Sequence, residues 1–295
     1  MSEKDTLHGR STNESTATNR RTMLRGTGAA IVGMTGLAAS SSTASAVSTF
    51  DIEVLDVGGS VFGSGSTPSI PVGDEVFIFA HGWFGDTTVS SQASDVATSM
   101  ADVGYEADEY VAIEWDATTI NFIGAENETE DVGETVAEML EEFYDDGGGD
   151  VRLVGHSLGG RVVLETVNHI DDGYEVETVA PLGAAADGEM VCEGGGGLFG
   201  DNWYDGIADN AADVRNYHSE DDSTVGAAYG GIGGAALGTD GSGCPDDTAD
   251  TYTDVDVTDS VGSHMGFLGD EAVGADLAEA AGVDVDDDDG GWGWL

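Results

Sequence analysis

The sequence predicts an α/β fold, a mostly parallel sheet with helices on both faces, and three observations carry that expectation. Short apolar runs alternate along the chain with stretches of helical periodicity. The runs are nearly continuous, as strands covered on both sides require. One of them, "VRLVGHSLGG" from Val151 to Gly160, leads straight into a serine boxed by glycines and then into a helical pattern.

In chain order, "FDIEVLDV" from Phe50 reads as a first strand and "EVFIFA", Glu75 to Ala80, as a buried one. "SSQASDVATSMADVG" places Val96, Met100 and Val103 at helical spacing, with serines where a cap is wanted. "YVAIEWDA" from Tyr110 is a third strand, and "NETEDVGETVAEMLEEFYDD" gathers Val132, Val136, Met139, Leu140 and Phe143 on one helical face before Gly147 to Gly149 end it. After "VRLV" come a helix "GRVVLETVNHI", strands "YEVETVAPL", "DVRNYHS" and "TYTDVDVTDS", and a closing helix "GDEAVGADLAEAAG". The Gly-rich "CEGGGGLFGDNWYDG" and "GAAYGGIGGAALGTDGSGC" read as loops or small packed insertions.

Of the 295 residues, 58 are Asp or Glu and 8 are Lys or Arg, a net charge of -50. Nucleic acid and anionic membrane surfaces are therefore excluded as partners. The acids are spread over the whole chain, a pattern that resembles proteins of extreme halophiles; in multimolar salt the Debye length falls to about 3 Å or less, and like charges stop opposing compaction.

The organisation expected is a leader over 1–46, one domain over 47–283 and an acidic, tryptophan-containing tail over 284–295. Arg20 and Arg21, a weakly apolar run and Ala44-Ser45-Ala46 make the leader resemble a twin-arginine signal peptide with its cleavage site, which implies export to the outside of the cell. The apolar run is short and rich in Gly, Thr and Ser, so no stable membrane anchor is expected. Beyond the leader only Arg152, Arg161 and Arg215 are basic. Asp284, Asp286 and Asp288 have the spacing of a calcium loop, but the turn glycine comes one place late and no glutamate follows, so no metal site is expected there. Cys192 and Cys244 are the only cysteines; export favours a single bridge between them over two thiols.

A G-x-S-x-G sequence between a buried strand and a helix is a nucleophile elbow, in which the serine takes strained backbone angles and its neighbours must lack bulk. The turn lifts the Ser157 hydroxyl above the sheet's carboxyl edge and points the amino terminus of the next helix at it. Serine is a weak nucleophile without a base and an orienting acid. Of the six histidines, His8 falls in the leader, His81 ends a strand, His156 lies within the elbow and His169 closes the helix after it. His218 and His264 remain, and the order nucleophile, acid, histidine places the base after the last strand, at His264. The acid is expected in "EDDSTV" as Asp222, three residues before a Val225 that begins a packed helix, with Asp221 as the rival and Asp187 as a remoter one. The oxyanion donors are the amide of Leu158 and that of Trp83, in the "HGW" that leaves an earlier strand.

Taken together, "AHGWFGD", "EYVAIEWDA", "NETEDVGETVAEML", "VRLVGHSLGGRVV", "NYHSEDDSTV" and "GSHMGFL" resemble the alpha/beta-hydrolase superfamily over most of residues 75–280, and "GHSLGG" is similar to its lipases and esterases. The resemblance implies the alpha/beta-hydrolase fold, a small-molecule or lipid ester as substrate, an acyl-enzyme on Ser157 and no cofactor. The chain departs from pancreatic-type lipases, which keep Asp-Pro where it has "APLGAAADG". An acyltransferase or amidase with the same triad, and a non-catalytic exported binding protein on the same scaffold, are the rival readings.

Overall fold

The computed structural model describes residues 50–58, 67–83, 85–117, 122–196, 202–229 and 235–285. Residues 1–46, expected as a leader, and the two tryptophans of the expected tail, with Asp286 and Asp288, lie outside them.

Among the described residues seven strands form one parallel sheet: β1 (Ile52–Asp56), β2 (Glu75–Ala80), β3 (Glu109–Glu114), β4 (Asp150–His156), β5 (Thr178–Leu182), β6 (Val214–His218) and β7 (Tyr252–Asp256). Their order across the sheet is β1-β3-β2-β4-β5-β6-β7. The helices are α1 (Val89–Ala101), α2 (Phe122–Asp145), α3 (Leu158–His169), α4 (Tyr204–Asn210), α5 (Ser223–Tyr229), α6 (Leu237–Asp240) and α7 (Glu271–Ala280).

The pleat of β2 shows why its sequence is apolar throughout. Val76, Ile78 and Ala80 join one core cluster, with Val136 and Leu140 of α2, Val162 of α3 and Ile207 of α4. Phe77 and Phe79 join the other, with Val96 and Met100 of α1 and Val273 and Leu277 of α7. Period-two alternation sends successive side chains into separate cores, so every position of a central strand must be apolar.

The strand order also sets the site. From β2 the chain returns toward β1 to make β3, then crosses β2 to make β4, so direction reverses between β2 and β4. Crevices at the carboxyl ends of strands on either side of such a reversal are where open parallel sheets bind ligands. Ala80 pairs with Gly155 at those ends, and the segments that follow, His81-Gly82 and His156-Ser157, emerge side by side.

Some elements differ from expectation at their edges. Helix α2 begins at Phe122, five residues before the predicted Asn127. Helix α1 starts after Thr88 without a side-chain cap bond; Ser91 instead donates to the Thr88 carbonyl at 2.8 Å. The Gly-rich stretches contain α4, α5 and α6 rather than loop alone. Cys192 and Cys244 form a disulfide with Cα atoms 6.2 Å apart, joining the loop after β5 to the loop before β7.

The three arginines each join two elements. Arg152 of β4 donates to Glu75 of β2 through Nε at 2.8 Å and Nη2 at 3.2 Å. Arg161 of α3 lies 3.6 Å from Glu126 of α2, with its guanidinium 5.2 Å above the ring of Trp203. Arg215 of β6 forms a two-pronged pair with Asp276 of α7, both bonds 2.7 Å.

Candidate active site

Ser157 stands at φ 59° and ψ -118°, the one non-glycine residue with positive φ among the described residues. Such a conformation costs on the order of 1–3 kcal/mol and persists only where the surroundings enforce it. Here the Ser157 amide donates to the Leu182 carbonyl at 3.0 Å, and the Ser157 carbonyl accepts from the amides of Gly160 at 3.0 Å and Ala185 at 3.1 Å. The glycines are steric requirements. A Cβ on Gly155 would run into the Gly159 carbonyl, and one on Gly159 into the carbonyl of Ala80. Strand, turn and helix can close on each other only with hydrogen at both positions.

His264 opens a 3-10 turn over His264–Gly269, between β7 and α7. Its Nδ1 lies 2.6 Å from Oδ2 of Asp222, and Asp222 has no exposed surface. The carboxylate can only accept, so Nδ1 carries the proton and Nε2 is left as the basic nitrogen. Asp222 Oδ1 accepts from the amides of Thr224 at 3.0 Å and Val225 at 3.2 Å at the start of α5. Its buried charge is thereby met by three donors. Asp221, the residue before it, is exposed. Asp187 sits on another loop, before a 3-10 turn at Gly188–Val191, where its backbone bridges to Ala236.

Leu158 is the first residue of α3, so its amide is one of the unpaired donors at a helix start. Trp83 follows Gly82, whose hydrogen points so closely at Ser157 that a Cβ there would stand 2.7 Å from the serine Cβ. The Trp83 side chain is 37% exposed and forms part of the rim. What holds this loop escaped the sequence reading. His81 is buried; its Nδ1 donates to the Gly82 carbonyl at 2.7 Å and its Nε2 accepts from the Trp115 amide at 3.3 Å. The Trp115 indole donates in turn to the His81 carbonyl at 3.0 Å, with the two rings stacked. Their positions at the ends of adjacent strands were the available signal.

Ser157 and His264 line one cleft of about 500 Å³, together with Trp83, Val225, Tyr229 and Met265, and its surface is mainly apolar. His156 lines it too. Its imidazole is lowered to about 3, first by burial and then by the neighbouring His264 ring. Among the described residues no group of three or more His, Cys, Asp or Glu is placed to hold a metal ion, and no helix is long and apolar enough to cross a membrane.

A parallel sheet in this order, with a strained serine between β4 and α3 and a histidine–carboxylate pair on the loops after β7 and β6, is the alpha/beta-hydrolase fold. A family model described as lecithin:cholesterol acyltransferase matches residues 77–188, the stretch from β2 past the elbow. No curated protein matches the sequence. A solved structure of a gene product from Listeria innocua is similar at 11% identity, covering 71% of this chain and 92% of the other, with a TM-score of 0.43.

Proposed function

We propose that the chain is a serine hydrolase of carboxylic esters, an esterase or lipase that works through an acyl-enzyme. Ser157 Oγ attacks the ester carbonyl as His264 Nε2 takes its proton, and Asp222 stabilises the imidazolium that results. The amides of Leu158 and Trp83 receive the oxyanion. Collapse of the tetrahedral intermediate expels the alcohol, which takes the proton from His264. Water, activated by the same nitrogen, then releases the acid and restores Ser157.

The observation that carries this reading is the 2.6 Å bond from His264 Nδ1 to a fully buried Asp222, with His264 on the same cleft as Ser157. Ser157→Ala tests it: hydrolysis of p-nitrophenyl esters in high salt is expected to fall by at least about 10³-fold. Full turnover by that variant would overturn the assignment.

The family match supports a second reading in which an alcohol replaces water as the acyl acceptor, since the matching family is described as an acyltransferase. Supplying graded concentrations of a long-chain alcohol and measuring how the acyl group divides between ester and free acid separates the two.

Export by a twin-arginine route, with 1–46 removed as a leader, and adaptation to high salt complete the proposal. The charge of -50 supports the second. A melting temperature that rises steeply between low and multimolar potassium chloride is the expected result, and one indifferent to salt would contradict it.

A further inference from the structure

The elbow carries a second histidine, and its contacts differ from those of a general base. His156 Nε2 lies 2.8 Å from the backbone carbonyl of His264, 108 residues away, with the two rings 4.6 Å apart. A carbonyl only accepts, so His156 Nε2 carries a proton and donates it. That nitrogen is therefore unavailable as an acceptor, and the residue is only 2% exposed.

The recipient opens the 3-10 turn over His264–Gly269, where the Gly266 amide also donates to the Ser263 carbonyl at 2.8 Å. Val261 and Phe267 are fully buried and anchor the loop after β7, but between them Gly262, Ser263 and Met265 are exposed. Loops of this kind are mobile unless something ties them down. His264 is tied twice, its ring to Asp222 and its carbonyl to His156. The first tie sets the tautomer and can pivot. The second fixes the Cα from which the ring is hung, and it originates on the residue adjacent to the nucleophile.

We infer that His156 is a positioning residue that holds the His264 backbone in register with Ser157, so that base and nucleophile are gauged from one strand end. This rests on the proposed role of His264 as the base. A strand end that carries both the serine and the tether to its base makes their separation insensitive to movement of the rest of the β7–α7 loop. Misplacement of a catalytic group by about 1 Å costs on the order of 10²-fold in rate.

Two amides separate the hydrogen bond from packing. Glutamine places its NH₂ where Nε2 of the imidazole stands, whereas asparagine reaches only as far as Nδ1, and both are neutral and polar. With folded enzyme counted by fluorophosphonate labelling of Ser157, H156N is expected to lose about 10- to 100-fold in kcat with KM little changed, and H156Q to recover most of it. The low-field proton of His264 Nδ1, seen by NMR in the full chain without substrate, should shift or broaden in H156N and return in H156Q. Equal kcat in wild type and H156N, with an unmoved resonance, would overturn the inference, as would H156Q and H156N that are equally impaired. A wild-type chain that neither labels nor hydrolyses esters would instead overturn the hydrolase reading, while the resonance still decides whether His156 holds His264.

Discussion

Asp222 reaches His264 across 42 residues of sequence and meets it at 2.6 Å with no solvent on the carboxylate. The adjacent Asp221 points outward. Asp222→Asn keeps the shape but offers an amide that can bind the wrong tautomer, so kcat on a p-nitrophenyl ester should fall on the order of 10⁴-fold. Asp221→Asn should leave the rate within about twofold, since solvent screens its charge. Equal losses in the two variants would remove Asp222 from the proposed triad.

Gly159 is closed in by the Ala80 carbonyl, an atom of the central strand that has no room to retreat. Gly159→Ala should destabilise by about 3 kcal/mol, the upper end of overpacking costs, and lower the melting temperature by roughly 5–10 °C. Gly269 has nothing within 4 Å of the added carbon and serves as the control. Calorimetry of the two variants in high salt makes the comparison.

The disulfide spans 52 residues. On loop-closure entropy alone, its removal by paired Cys192→Ser and Cys244→Ser should cost about 4 kcal/mol. The loops it joins reach the site: the Leu237 amide donates to the Ala186 carbonyl at 2.9 Å, and Thr239 Oγ1 donates to the Asp222 carbonyl at 3.1 Å. Reduced protein should therefore lose activity before it loses its far-UV signal, as read by parallel assay and circular dichroism under a dithiol.

Acid stability should carry the mark of His156. Its folded-state pKa lies at about 3, below the ordinary 6.5, because burial first, and then the neighbouring His264, disfavour its protonated form. Between those values the unfolded chain binds more protons than the folded one, so stability rises with pH across the window and is lost as pH falls from about 6.5 toward 3. The slope contributed is up to about 1.4 kcal/mol per pH unit. His156→Gln removes the titrating group, and melts from about pH 4 to 7 should show a flatter acid limb than wild type. Identical limbs would contradict the assignment.

The features legible in the sequence were those whose physics is local. The elbow could be read because the clash that forbids bulk at Gly155 comes from the Gly159 carbonyl within the same five residues, between a strand and a helix that flank it directly, although the closing of Gly159 by the Ala80 carbonyl is a tertiary contact. Asp222 and Asp221 could not be separated with the same force, since which one turns inward depends on Val225 anchoring α5, a tertiary event. The bracing of His81 by Trp115 joins two strands through contacts 34 residues apart and has no local signature. Trp203, fully buried beneath Arg161, lies in a stretch whose glycine content reads as loop, because composition outweighs one anchoring indole when only neighbours are compared.

Arg152, Arg161 and Arg215 are the only lysine or arginine residues after position 25, and each is committed to a carboxylate within the fold. Among the described residues Asp150 and Asp213 also lie within 3.6 Å of Arg152 and Arg215, so most exterior acids have no lysine or arginine to pair with, and their neutralisation falls to dissolved cations. Exchanging one alkali cation for another at constant ionic strength becomes a change in the protein's outer layer, while these inward-facing contacts stay as they are.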